Sequence, residues 1–395
     1  GLETRNRLSW SRSGRLSMSY AAEFNAYIQK LSSSMEAYDG TADFSEESLQ
    51  NNLHRDYAEA VLSASTQYNI TPTMNMMLSL PVRYVLLREH LQDINSGSFV
   101  YLDPSFSINW QITPRWSSNF LYGLNHNFGG IKNSYTNPIM VNYRMLIQND
   151  GKLDKMSNHN ITWMLGYKNP FTTLFGSLNL FYTNIRSNLL YSYNYQDIFT
   201  SRQSVEKPNT KQNLFSSARI GKDIDFLTST ISVGVSYVES RMEQLIQQQA
   251  VKYKTSSVSL SPRVNSRITD YVSLQYSSSY SWVNSQIDMG TIDLPNIQIW
   301  SQKLDLNIFP TSKTVITFSG DYFRNSSVQE GSRTMWFGDL GLKYKLKKIE
   351  FILNWSNVFN TKTYVVSSYA DAGHYFYSYQ LRPSEVLLRV RFSII

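Results

Sequence analysis

Residues Ser384–Ile395 read SEVLLRVRFSII. In an extended chain Val386, Leu388, Val390, Phe392 and Ile394 share one face, and Arg389, Arg391 and Ser393 share the other. Two arginines exclude a strand buried on both sides, yet the apolar face is bulkier than the edge of a soluble sheet tolerates. Lipid on one side and water on the other satisfies both faces. An open edge cannot stand in hydrocarbon, so this strand needs a neighbour on each side. The stretch therefore reads as the membrane-facing closing strand of an all-β, antiparallel transmembrane β-barrel of the bacterial outer membrane.

Composition agrees with that reading. Of 395 residues 14% are aromatic and only 17% charged, against about 25% charged in a typical soluble domain. Mean hydropathy is nonetheless −0.34, and no run approaches the roughly 18 apolar residues of a membrane helix. Alternation dilutes apolar residues in just this way in a barrel. The chain has no cysteine, which excludes disulfides, thiolate zinc sites, iron–sulfur clusters and cysteine nucleophiles within it. The net charge of +7 is scattered, and its one cluster, Lys343, Lys345, Lys347 and Lys348, falls at an expected turn. Nucleic acid is not an expected partner, because that needs a contiguous basic face with stacking or base-reading groups.

The period of two recurs along the chain. Phe106, Ile108 and Trp110 alternate with Ser107 and Asn109; Ile231, Val233 and Val235 with Ser232 and Gly234; Val272, Leu274 and Tyr276 with Ser273, Gln275 and Ser277. The polar partners suit a wet lumen better than a packed core. Strands are expected at roughly 1–10, 15–38, 50–70, 72–91, 98–112, 115–128, 158–168, 171–195, 211–222, 227–243, 251–267, 271–284, 297–308, 312–325, 334–345, 348–360 and 384–395. The helix-like run Ala58–Leu62 is kept as strand. Short turns such as Ile70-Thr71-Pro72 and Ile112-Thr113-Pro114 alternate with long polar connections at Asp39–Ser48, Gly129–Ser157, Gln196–Thr210, Asn284–Asn296 and Thr361–Pro383. That asymmetry places short turns in the periplasm and long loops outside. Trp10, Trp110 and Trp116 then fall near inner ends and Trp282, Trp300 and Trp336 near outer ends, as interfacial girdles require; Trp163 and Trp355 are exceptions.

The count of about seventeen strands is odd, whereas closed bacterial barrels have an even number. Residues 1–395 therefore read as a single barrel domain that is incomplete at its N-terminus. The opening GLETRNRLSW shows no signal region, as after signal removal or inside a larger protein.

One segment is more specific. NWSNVFNTK (Asn354–Lys362), a loop, then Leu381-Arg382-Pro383 leading into LLRVRFSI (Leu387–Ile394), resembles the C-terminal end of TonB-dependent receptor barrels of the Bacteroidetes. Ser79–Tyr84 (SLPVRY) and Asn125–Leu146 fit the same group. The resemblance implies a barrel of about 22 strands with a plugged lumen. It also implies uptake of a bulky nutrient (a glycan, peptide or siderophore) driven by periplasmic TonB. Seventeen strands would be the sixth to the last, with the plug and first strands missing or on another polypeptide. No plug and no TonB box are read here, and Ile395 is not the usual terminal aromatic.

No catalytic centre or cofactor is expected. The five histidines are scattered, without a close metal-ligand pair, and no P-loop, GxGxxG or GxSxG occurs. His126 reads as an interface residue on an apolar face. The informative loop is Thr361–Pro383. Tyr369, Asp371, His374, Tyr375 and Tyr377 could form a stacking surface for ligand there, since exposed aromatics need a cover. The bland reading extends the last hairpin with tyrosines. Expected partners are outer-membrane lipid, TonB through a plug not in this chain, and a surface lipoprotein or other envelope subunits. A second function is a structural or docking barrel in a multi-protein envelope complex.

Overall fold

The computed structural model describes residues 2–12, 15–35, 49–89, 96–196, 199–288, 295–370 and 373–392. The chain is strand almost throughout. The first seven strands are β1 (Leu2–Arg12), β2 (Leu16–Ser34), β3 (Gln50–Thr71), β4 (Met74–Glu89), β5 (Gly97–Leu102), β6 (Ser105–Thr113) and β7 (Trp116–Phe128). A small hairpin follows, β8 (Ile139–Asn142) and β9 (Met145–Gln148). Then come β10 (Lys155–Asn169), β11 (Leu174–Gln196), β12 (Phe199–Ile224), β13 (Ser229–Ile246), β14 (Gln249–Thr269) and β15 (Val272–Ile287). The last are β16 (Ile297–Thr311), β17 (Thr314–Asn325), β18 (Thr334–Leu346), β19 (Ile349–Ser356), β20 (Thr363–Ala370), β21 (Gly373–Gln380) and β22 (Glu385–Phe392).

Neighbours in sequence pair antiparallel along the wall, with β7 joined to β10 and β19 to β22. β4 pairs with β5 at one end and β6 at the other, so these two are one strand broken at Asp103–Pro104. Proline has no amide hydrogen for the ladder, and the break follows. With β5 and β6 as one and the two small hairpins set aside, the described wall has seventeen positions, as alternation predicts. β1 and β22 stand at its ends, each with one ladder partner among the described residues. In β22, Val386, Leu388, Val390 and Phe392 share a face and are exposed; Ile394 lies outside the described residues. Ala58–Leu62 is strand, inside β3.

Two expected loops need correction. Gln196–Thr210 is not a loop: β11 and β12 stay paired from Leu189↔Glu206 up to Gln196↔Phe199. At about 3.3 Å per residue the 26 residues of β12 reach far beyond an apolar band of about 25 Å, so the hairpin continues as sheet outside it. Thr361–Pro383 contains the β20–β21 hairpin, a sheet of its own rather than an extension of β19 and β22. Gly129–Ser157 is one excursion, as expected, and carries β8–β9. Asp39–Ser48 lies outside the described residues, as do positions 289–294 of Asn284–Asn296.

Register carries the two faces from strand to strand. Ile231↔Val264, Val235↔Leu260, Leu260↔Tyr280 and Leu274↔Leu306 build an apolar face. Ser236↔Ser259, Ser259↔Ser281 and Gln275↔Asp305 build a polar one. The apolar face is bare: Leu62 is 66% exposed and Ile220 59%. A continuous apolar band of this extent is far larger than the patches soluble proteins show to water. It faces lipid, and the polar face lines the lumen.

Aromatic rings mark the outer border of the band. Trp282, Tyr280, Trp300, Tyr322, Trp336 and Phe359 form a chain, with centroids 4.3, 6.1, 5.4, 4.5 and 6.5 Å apart in turn. Just beyond Tyr237 on the same face the residues turn charged: Glu239 accepts from Arg241 at 2.7 Å and lies 3.5 Å from Lys254. At the short-turn end Trp116 packs on Tyr167 at 4.7 Å. Trp355 sits at the long-loop end of β19, its Nε1 donating to Ser384 at 2.7 Å. Trp163 stays mid-wall, donating to Ser118 at 3.1 Å.

Candidate functional site: the outer mouth and inner wall

Two outer elements fold onto the lumen face and narrow the mouth. The first is the excursion between β7 and β10. Arg55 of β3 donates through Nε to Glu89 of β4 at 2.7 Å and through Nη1 to the carbonyl of Gly129 at 2.7 Å. Its Nη2 reaches Glu89 and Ser134. Both charges are buried. Around this clamp, Leu53 packs with Ile131, Tyr135 and Ile147, and Tyr57, Val85 and Leu87 pack with Leu153. Asn51 and Asn137 exchange bonds: Asn51 Nδ2 donates to the Asn137 carbonyl at 2.9 Å, and the Asn137 amide donates to Asn51 Oδ1 at 3.1 Å. On the far side β9 pairs parallel with β12, Met145↔Thr200 through Gln148↔Gln203.

Gly129 closes the base of the excursion, its amide donating to the Asp154 carbonyl at 2.8 Å. A Cβ on Gly129 would stand 2.7 Å from that of Asp154, too close for any other residue without a shift. Burial raises the Asp154 carboxyl above its ordinary range, against hydrogen bonds from Ser187 and Asn133 that lower it. A raised folded-state value means this group's contribution is complete below the ordinary carboxylate value and lost as pH rises through the raised one. Protection of residues 129–154 from protease is therefore expected to be greatest in acid and to fall as pH rises above the ordinary carboxylate range. Asp154→Asn should flatten that dependence; an unchanged pH profile in the variant would exclude Asp154 as its source.

The second element is the β20–β21 hairpin. Tyr364 packs on Phe323 and Phe337, at 6.0 and 6.1 Å, two lumen-face residues of β17 and β18. Buried Asn325 donates to the Ser367 carbonyl at 2.8 Å, and Ser327 bonds the Ser367 hydroxyl at 2.8 Å. Of the residues expected to bind ligand, Tyr369 stands opposite His374 in this hairpin, and Tyr375 and Tyr377 lie on its second strand. Tyr377 is exposed and stacks on Tyr379 at 6.4 Å. Asp371 lies outside the described residues.

A further cluster escaped sequence reading because it depends on the break at Pro104. Above Ser105↔Gly123 the β6–β7 ladder stops, and the end of β7 overlies β5. His126 stacks on Tyr101 at 4.5 Å and its Nδ1 lies 2.6 Å from Asp103 Oδ1. Arg83 bonds the His126 carbonyl and lies 3.0 Å from Asp103 and 3.6 Å from Glu59. His126 is thus a covered, paired residue, not the lipid-interface residue its strand position suggested. Lower down, Arg219, Arg263 and Lys303 stand among serines on the inner wall.

No protein-family model matches the chain, and no curated protein does. Among solved structures, the siderophore receptor PirA of Acinetobacter baumannii is similar with a TM-score of 0.45 and 10% identity, over 85% of this chain and 57% of that one. A mutant ferric enterobactin receptor of Pseudomonas aeruginosa gives 0.44 and 11%, over 85% and 56%. The ferric-catecholate import receptor Fiu of E. coli K12 gives 0.34 and 10%, over 99% and 73%. The chain spans little more than half the length of the first two. Independently of these likenesses, a membrane wall built of alternating strands is of the outer-membrane type. The chain is an outer-membrane barrel wall.

Proposed function

We propose that this wall belongs to a TonB-dependent importer of a bulky nutrient, a siderophore, glycan or peptide. The observation that carries the reading is a polar lumen face onto whose outer end two separate elements fold, the 129–154 excursion on β3, β4 and β12 and the β20–β21 hairpin on β17 and β18. Two such elements suit the capture and guarded entry of a large solute. In this reading a plug supplied from outside residues 1–395 closes the lumen and moves when TonB pulls it. Tyr369, Asp371, His374, Tyr375 and Tyr377 form the capture surface, where rings can stack on a planar or sugar ligand. No enzymatic step and no cofactor enter. Deleting the gene should impair growth when iron is held by a siderophore, or when a glycan or peptide is the sole nutrient, and deleting TonB in the restored strain should reproduce the defect. Growth restored equally with and without TonB would sink the proposal.

The sheet that β11–β14 raises above the apolar band favours a second reading, a docking barrel for a surface lipoprotein or other envelope subunits. Extraction in mild detergent separates the two: a stable multi-protein assembly from cells whose nutrient uptake is unaffected by the deletion supports the platform.

A further inference from the structure

The inner wall between β12 and β16 carries positive charge that it does not balance. Ser232, Arg263, Ser277 and Lys303 stand directly opposite one another across four adjacent strands. Arg219 stands opposite Gly234, which in turn faces Ser261, two residues from Arg263. With strands about 4.8 Å apart, Arg263 lies about 10 Å from Lys303 and about 12 Å from Arg219 along the wall. The three cations line one cavity of about 210 Å³ together with Ser261, Ser277 and Ser301.

Lys303 has acids near it, Asp305 at 3.8 Å and Asp321 opposite on β17. Among the described residues neither Arg219 nor Arg263 has a carboxylate within ion-pair distance. Gly234 adds no side chain between them, and the flanking hydroxyls are small donors. Two guanidinium forks over a floor of serines match oxyanions, which arginine binds through paired, charge-assisted hydrogen bonds. Low-dielectric walls concentrate that attraction on the lumen.

We propose that Arg219 and Arg263, with Lys303 at the edge, form a mid-wall binding station for solutes that bear two or more oxyanion groups. The proposal rests on the reading of the polar face as a solute path. It fails separately from that reading, because binding is measured without TonB and without transport.

The test uses the full-length protein in detergent, with tricarballylate, which carries three carboxylates, and propionate, which carries one, as probes in calorimetry at low salt. Tricarballylate should bind, and propionate at least about tenfold more weakly. Arg219→Gln with Arg263→Gln should weaken tricarballylate at least about tenfold, since more than one charged hydrogen bond is lost. Both arginines lack an ionic partner to leave stranded, so the variant is expected to fold. Ser277→Cys, the sole cysteine this sequence would then hold, should react with a small aqueous thiol reagent, and tricarballylate should slow the reaction. No binding to the wild type, equal binding to the double variant, or a Ser277→Cys thiol left unreactive beneath another segment would each overturn the station.

Discussion

Arg55→Ala is expected to free residues 129–154 from the lumen wall while leaving the barrel folded. Arg55 and Glu89 are both buried, and the guanidinium also holds the Gly129 carbonyl at 2.7 Å and the Ser134 hydroxyl. Removing one partner of a buried pair strands the other charge and costs about 3–5 kcal/mol. That exceeds what the neighbouring contacts of a surface excursion can absorb, so the loss falls on the docking of the excursion. Limited proteolysis should show new cleavage within 129–154, at rates raised by about two orders of magnitude or more. Arg55→Met with Glu89→Leu removes both charges and should restore much of the protection. If Arg55→Ala leaves the cleavage pattern of the wild type, the clamp is not what holds the excursion.

The second large effect separates the faces. Val235 lies midway up β13 on the apolar face, between Val233 and Tyr237, and is exposed there. Ser236, the next residue, faces Ser217 and Ser259 on the polar side. Val235→Arg should destabilise the protein folded in lipid vesicles by about 2–4 kcal/mol, the cost of a charge at mid-bilayer. Ser236→Arg places the same charge in the lumen and should change stability by no more than about 0.5 kcal/mol. Urea titration of the vesicle-inserted protein measures both. Equal losses would mean that both faces are packed, and the membrane reading of the wall would fall.

The wall was legible in the sequence because each strand states its two faces locally. Val272, Leu274 and Tyr276 against Ser273, Gln275 and Ser277 need no partner to be read, and the seventeen positions and the outer tryptophans followed. What stayed hidden depends on contacts between distant strands. Arg55 and Glu89 look like ordinary polar positions on β3 and β4 until residues 129–154 fold over them. His126 sits on an apolar stripe, and only the break at Asp103–Pro104 brings Asp103 and Tyr101 to it. Polar residues such as Arg202 and Glu206 suggested a loop, but outside the membrane a strand has no need of alternation, so the periodic signal fades while the ladder continues. The aromatic hairpin was expected as an outer feature. Its anchoring through Tyr364 and Asn325 was not readable, since it needs Phe323, Met335 and Phe337, apolar residues at the outer end of the lumen face of β17 and β18, to be brought together by pairing.

The parallel ladder between β9 and β12 has a mechanical consequence. The 129–154 excursion is moored on two banks of the mouth, by Arg55 on β3 and by the four pairs from Thr200 to Gln203 on β12. Breaking the charge clamp alone leaves it tethered to the projecting hairpin, able to swing like a gate on that hinge. Breaking the ladder alone leaves it tethered to β3. A wide aperture therefore demands that both moorings slip, and a solute that loosens only one obtains a partial opening on a fixed side.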